Sequence, residues 1–408
     1  MFHLIFVLLV QSVAAAELKQ LIAEALDRNP EILASQKRYE AARQRPAQER
    51  SLPEPMLGLG YNSSGNPLPG AGIGREPTSN IGVMLTQELP QPGKLRTRAL
   101  IASKEADAMY QDYVAVRHSV VQRVKTAHHK LHHTYTSYDI LHRYRDLLAQ
   151  MLKVTEARYA AGRTAQQDVL RAQTQISLME TRLMQLLRER RSVEAALNSL
   201  LARPHGTPVG APNFVDFDEL PFTLDKLLDH LAGHSPMLLR EEKMIERAES
   251  SVSLARKGFQ PDYAITGGYF NMGTMPSMYM FRADIKLPIT FSKLRAAVTE
   301  QHYALEAYRG SYQSTAQSLR SRIASDYEMA DAANKIRKLY KTTIIPQSSL
   351  TFESSLASYE TGGVDFMTVL SNYMAIVEAE LMYHEQTMDL HLAVSRLEEM
   401  AALSEVSK

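Results

Sequence analysis

The chain has 408 residues, 46 basic against 45 acidic side chains, a formal charge of +1, and no cysteine. Near-neutrality gives no electrostatic case for a nucleic acid partner, and the missing cysteine excludes disulfides, thiolate chemistry and a lipid carried on an N-terminal Cys. No serine nucleophile elbow, phosphate-cradling glycine loop or zincin helix occurs, so the chain reads as a non-enzyme that needs no cofactor.

At the start, Leu4 to Val10 is an apolar run too short to span a bilayer, and Ala14-Ala15-Ala16 precedes Glu17. This predicts a secretory signal peptide over 1–16. No later run is long and apolar enough for a transmembrane helix, so a membrane-embedded form of this chain has to be a closed β-barrel. Asn29 then caps a predicted helix with Pro30 at its first position and Glu31 in its first turn, running to about Arg50.

The periodicity next changes from 3.6 to 2. Leu57 to Tyr61 and the alternating Ile81, Val83, Leu85 against Gly82, Met84, Thr86 predict a strand pair across a Gly/Pro-rich loop. From Lys94 to about Ala161 a helix of about 65 residues, roughly 100 Å at 1.5 Å per residue, implies coiled-coil packing. Gly162 ends it as a C′ glycine, and a second helix returns from Thr164 to Leu201.

The same order then recurs. Ser235-Pro236 repeats Asn29-Pro30, and Tyr263 to Tyr269 with Tyr279, Phe281, Ala283, Ile285 and Leu287 repeats the strand pair. Met280, Arg282, Asp284 and Lys286 alternate with that last apolar set. Tyr159-Ala-Ala-Gly162 before Asp168-Val-Leu returns as Tyr359-Glu-Thr-Gly362 before Thr368-Val-Leu, offset by 200 residues. The chain is therefore an internal duplication: a first repeat over 17–204, a linker over 205–222, a second repeat over 223–403 and a tail over 404–408. Pro346 interrupts the second long helix where the first has Asp146, which predicts a kink.

Half-buried soluble hairpins would explain the alternation, but a lone two-stranded hairpin is unstable in water. Strands of about 10 residues, apolar on one side and charged on the other, suit a lipid-facing barrel with a wet lumen. Arg282, Asp284 and Lys286 are the predicted lumen residues. Four strands are too few to close such a barrel, and three chains supply twelve.

As a set, the duplicated Tyr-x-x-Gly with its Val-Leu pair, the Leu89-Pro90 and Leu287-Pro288 that end the strand pairs, and Asn29-Pro30 resemble the outer-membrane efflux protein family, the TolC-like channels. Leu89-Pro90-Gln91-Pro92-Gly93-Lys94 with Arg96 and Arg98 is similar to its heavy-metal branch, which serves copper/silver or cobalt/zinc/cadmium exporters. The resemblance implies a mainly α protein with a small membrane β-barrel. Duplicated long helical hairpins would form an α-barrel in the periplasm, and four strands per chain would enter a 12-stranded barrel of a homotrimer in outer-membrane lipid. It further implies docking to a periplasmic adaptor (membrane fusion) protein and an inner-membrane RND-type pump. A secreted coiled-coil interaction protein without a pore is the competing class, and within the efflux reading a duct for drugs or other organic solutes is the alternative.

The resemblance also places a periplasmic gate at Gly162 and Gly362, with Asp168 and Asp365 beside them. Some family members carry two acidic residues one turn apart after the second glycine; here Thr368 and Ser371 stand at those places. Two clusters carry metal-ligand chemistry. His128, His129, His132 and His133 form two i, i+4 pairs, read either as half-sites for a divalent ion or as polar helix surface. Met272, Met275 and Met278, with Met280, offer soft thioethers or serve as loop filler.

Overall fold

The structure, a computed structural model, describes residues 18–65, 67–214 and 216–403. The signal peptide predicted over 1–16 and the tail over 404–408 lie outside the described residues. In chain order the elements are α1 (18–28), α2 (Pro30–Ala42), α3 (Arg45–Arg50), β1 (Met56–Asn62), β2 (Asn80–Leu89), α4 (Lys94–Ala160) and α5 (Gln166–Leu200). The second repeat follows with α6 (Leu224–His234), α7 (Pro236–Lys257), β3 (Asp262–Asn271), β4 (Met278–Lys286), α8 (Phe291–Leu339), a π-helical turn (Tyr340–Ile344), α9 (Ile345–Glu360) and α10 (Phe366–Met400).

The chain forms two compact units that cut across the repeats. The first holds the described parts of Met1–Ser35 and Ala316–Lys408 together with Val114–Pro236; the second holds Gln36–Tyr113 and Met237–Thr315. The first unit is helical. Its core is built from Leu141 and Leu148 on α4, Met179 on α5, and Phe366, Tyr373 and Val377 on α10. Each such side chain contributes about 1.5–3 kcal/mol of burial. Asn29 caps α2 as its position before Pro30 predicts, its Oδ1 accepting from the Glu31 and Ile32 amides at 2.9 and 3.3 Å. Its Nδ2 also donates to the Leu200 carbonyl at 2.9 Å, tying the start of α2 to the end of α5.

Within the second unit β1, β2, β3 and β4 form one antiparallel sheet in that order, so the two predicted strand pairs join through β2 and β3. The helix expected from Pro30 to about Arg50 breaks after Ala42, and a new one begins at Arg45. Pro46 near the start of that new helix has no amide hydrogen to give to a continuous one. The corresponding α7 has no proline there and runs unbroken.

The kink expected at Pro346 takes the form of the π turn directly before it. A wider turn accommodates the missing amide and the ring's clash with the preceding turn. No helix among the described residues is long and apolar enough to cross a membrane.

Candidate pore wall and helical tip

The register assigns every strand residue to one of two faces, because directly paired residues share a face. One face runs Leu57–Leu85–Gly267–Phe281 and Leu59–Val83–Tyr269–Tyr279, continued by Ile265, Ile285 and Tyr263. The other carries Asn80, Gly82, Met84, Thr86, Thr266, Gly268, Phe270, Met280, Arg282, Asp284 and Lys286.

On β2 and β3 burial alternates with the same period but in the opposite sense to a water-soluble sheet, while β4 is exposed on both faces except at Met280. Leu59, Tyr279 and Phe281 are 80%, 79% and 78% exposed, whereas Thr266 and Phe270 on the mixed face are 1% and 4% exposed. The predicted lumen residues Arg282, Asp284 and Lys286 share this second face, where the Arg282 guanidinium meets Asp284 at 3.0 Å.

Below the sheet the Pro-Gly-Lys segment turns β2 into α4. Gly93 takes φ +94, and the buried Lys94 donates to the Asp262 carboxylate at 2.7 Å, which also accepts from the Gln91 amide at 2.8 Å. Lys257 donates to the Gly93 carbonyl at 3.0 Å and to Thr97 Oγ1 at 2.5 Å. The motif read as a mark of metal exporters thus acts here as a structural junction.

In the helical unit both tip glycines close Schellman caps. The Arg163 amide donates to the Arg158 carbonyl at 2.8 Å and Gly162 to Tyr159 at 2.9 Å; Gly363 to Ser358 and Gly362 to Tyr359 repeat this at 2.8 and 3.1 Å. Gly162 and Gly362 have φ of +69 and +83, conformations that glycine adopts without Cβ strain. Arg158 bridges the two turns: it stacks over the Tyr359 ring at 4.3 Å and donates to the Tyr359 and Glu360 carbonyls at 3.1 and 3.2 Å.

The two acids beside the glycines are engaged in starting helices. Asp365 caps α10, accepting from the Thr368 amide and hydroxyl at 2.9 and 2.7 Å, and these bonds hold its carboxyl below the usual carboxylate range. Asp168 instead sits in the first turn of α5 and accepts from Thr164 Oγ1 at 2.6 Å.

The four clustered histidines of α4, His128, His129, His132 and His133, are buried or half-buried rather than on a solvated surface. His128 and His129 are buried, and neither ring nitrogen of His128 has a hydrogen-bond partner among the described residues. His129 packs on His391 of α10 at 4.7 Å between ring centroids, and His132 stacks on Phe214 at 4.2 Å. His133 Nε2 lies 3.3 Å from Ser137 Oγ.

His391 and Arg337 both hold Asp216 of the linker. Burial would raise that carboxyl, but the His391 hydrogen bond and the Arg337 charge outweigh it and set it at about 2. Burial, with help from neighbouring histidines, pushes His128, His132 and His384 down to about 4. The cluster therefore packs as an aromatic clamp on Phe214, Asp216 and Phe217. Sequence pairing at i, i+4 missed it because Asp216, Phe214 and His391 come from distant segments. Among the described residues no three His, Asp or Glu side chains are placed to hold a metal ion. Met272 and Met275 lie half-buried in the β3–β4 loop, and Met278 opens β4.

Comparison with known proteins adds relatives to this geometry. The chain is 21% identical over 249 residues to the cobalt-zinc-cadmium resistance protein CzcC of Cupriavidus metallidurans, a match spanning 58% of this chain and 57% of that relative. Its fold is similar to that of CusC, whose structures concern folding and transmembrane channel formation, with a TM-score of 0.82 at 17% identity over 95% of this chain and 92% of that one. VceC, an outer membrane protein of Vibrio cholerae, gives 0.79 at 17% identity over 95% and 96%. The family model described as Outer membrane efflux protein matches residues 21–203 and 227–402, both repeats in turn. The chain belongs to the outer membrane efflux protein family.

Proposed function

We propose that the protein is the outer-membrane exit duct of a tripartite efflux pump, carrying heavy-metal cations. The observation that carries the membrane assignment is the inverted sheet. Its apolar, tyrosine-bearing face is an exposed one, and its two outer strands, β1 and β4, have no second neighbour among the described residues. In lipid an open sheet edge leaves unpaired amides and carbonyls, so the sheet has to close on further copies. Three chains close twelve strands into a barrel wide enough to conduct.

The helical hairpins then stand in the periplasm and meet an adaptor and an RND-type inner-membrane pump, which supplies the driving force. The Gly162 and Gly362 turns form the gated end. Arg158 holds the two turns together in the narrow state, and adaptor docking releases them.

The similarity to CzcC supports a metal cargo. A duct for drugs or other organic solutes is the second reading, favoured by the lack of a three-ligand His, Asp or Glu site among the described residues. Cells lacking the gene decide between them. Complementation is expected to restore tolerance to cobalt, zinc, cadmium, copper or silver salts while leaving dye and detergent tolerance unchanged. The opposite pattern contradicts the metal reading.

A further inference from the structure

The mixed face of the sheet carries a row that the register makes continuous across all four strands: Gly58, Met84, Gly268 and Met280. Large and absent side chains alternate. A Cβ on Gly58 would stand in ordinary contact with the Met84 ε-methyl, at 3.7 Å, whereas one on Gly268 would meet the Phe270 ring first, at 2.8 Å, and the Met280 ε-methyl at 3.4 Å. The Met84 methyl thus lies over Gly58, and the Phe270 ring and the Met280 methyl share the space over Gly268. Met278 continues the pattern one row away on β4, and Met56 on β1 occupies the row on the other side.

No carboxylate or imidazole shares the Met84 row, and the nearest acid on β4, Asp284, is paired with Arg282. The ligands this row presents are thioether sulfurs alone, which hard divalent ions and oxyanions ignore and soft monovalent ions prefer. Unbranched methionine side chains can swing two sulfurs onto one ion with little strain.

We propose that Met84 and Met280 form a thioether collar inside the barrel that binds soft monovalent cations, Cu(I) or Ag(I), in transit. The collar rests on the duct reading above, since only a closed trimeric barrel brings the rows of three chains into one ring of six methionines. It narrows the cargo from heavy metals in general to soft monovalent ions.

The test uses the full-length protein in detergent, labelled with methyl-13C methionine and titrated with silver nitrate, with the two resonances assigned from Met84→Leu and Met280→Leu. Leucine conserves volume, so both variants keep the fold. The collar requires the Met84 and Met280 methyls to shift saturably with silver and to stay still with zinc. It also requires the double variant to bind no more than half the silver of the wild type in equilibrium dialysis. Unmoved Met84 and Met280 methyls at silver levels that shift Met272 or Met275, or unchanged silver uptake by the double variant, overturn it. Conductance of the same preparation in planar bilayers separates the two readings. Open channels with silent methyls defeat the collar alone, whereas absence of any channel defeats the duct and the collar with it.

Discussion

Ala202 and Ala402 both take φ of 53, in the left-handed region, at the C′ positions that end α5 and α10. Each closes a Schellman cap, through the Arg203 amide to the Asn198 carbonyl at 2.9 Å and the Leu403 amide to the Glu398 carbonyl at 2.9 Å. Alanine there costs about 1 kcal/mol that glycine does not. Ala202→Gly and Ala402→Gly are therefore each expected to stabilise the fold by about 1 kcal/mol and so to raise the denaturant midpoint. A lowered midpoint would mean that the alanine methyls make stabilising contacts instead. At the tip the sign reverses: Gly162→Val or Gly362→Val forces a β-branched residue into the same region, costs about 1–2 kcal/mol locally, and should reduce export in a metal-tolerance assay. Full export would contradict the placement of the gate.

The histidine clamp makes stability depend on pH. His128, His132 and His384 are held at about 4 by burial, against an ordinary 6.5. Between those values the unfolded chain binds more protons, so their contribution is complete above about pH 6.5 and is lost as pH falls toward 4. The charges around them, Lys125, Arg337, Asp216, Glu189, Glu385 and Asp389, come from α4, α5, α8, α10 and the linker. Thermal midpoints measured from pH 7 to 4.5 should fall, and His128→Leu should flatten part of that fall. A flat wild-type profile would show that these imidazoles titrate alike in the folded and unfolded chain.

Among the elements, the strand-to-helix junction depends on one buried cation. Removing Lys94 strands the Asp262 carboxylate, so Lys94→Met is expected to cost about 2 kcal/mol, less than for a fully buried pair because Asp262 keeps part of its solvent. The denaturant midpoint checks this, and Asp262→Asn in the same background should recover part of the loss.

Element order was largely readable from the chain: period-2 and period-3.6 segments, Asn29-Pro30, and the two glycines each state a local backbone preference. What escaped were features without a local signal. Ala202 reads as a good helix former, and the α2–α3 break hinges on Pro46 inside an otherwise helical run. The clamp on Asp216 unites residues from the linker, α4, α8 and α10 that no short pattern connects. The i, i+4 spacing on α4 left half-sites or polar helix surface open, because nothing in it shows that His129 packs on His391 and His132 on Phe214.

At the scale of the whole molecule, the duplication explains why one chain supplies two strand pairs and two helical hairpins but cannot complete either wall. Neither repeat forms a body of its own; each compact unit draws on both. Closure is left to symmetry, and the exposed apolar face and open strand edges are sensible only once other copies and lipid cover them. Native mass spectrometry of the protein extracted in detergent from the outer-membrane fraction tests that claim most directly. The account predicts a complex of three chains that dissociates only on heating. A monomer or dimer recovered from the soluble periplasmic fraction would contradict it.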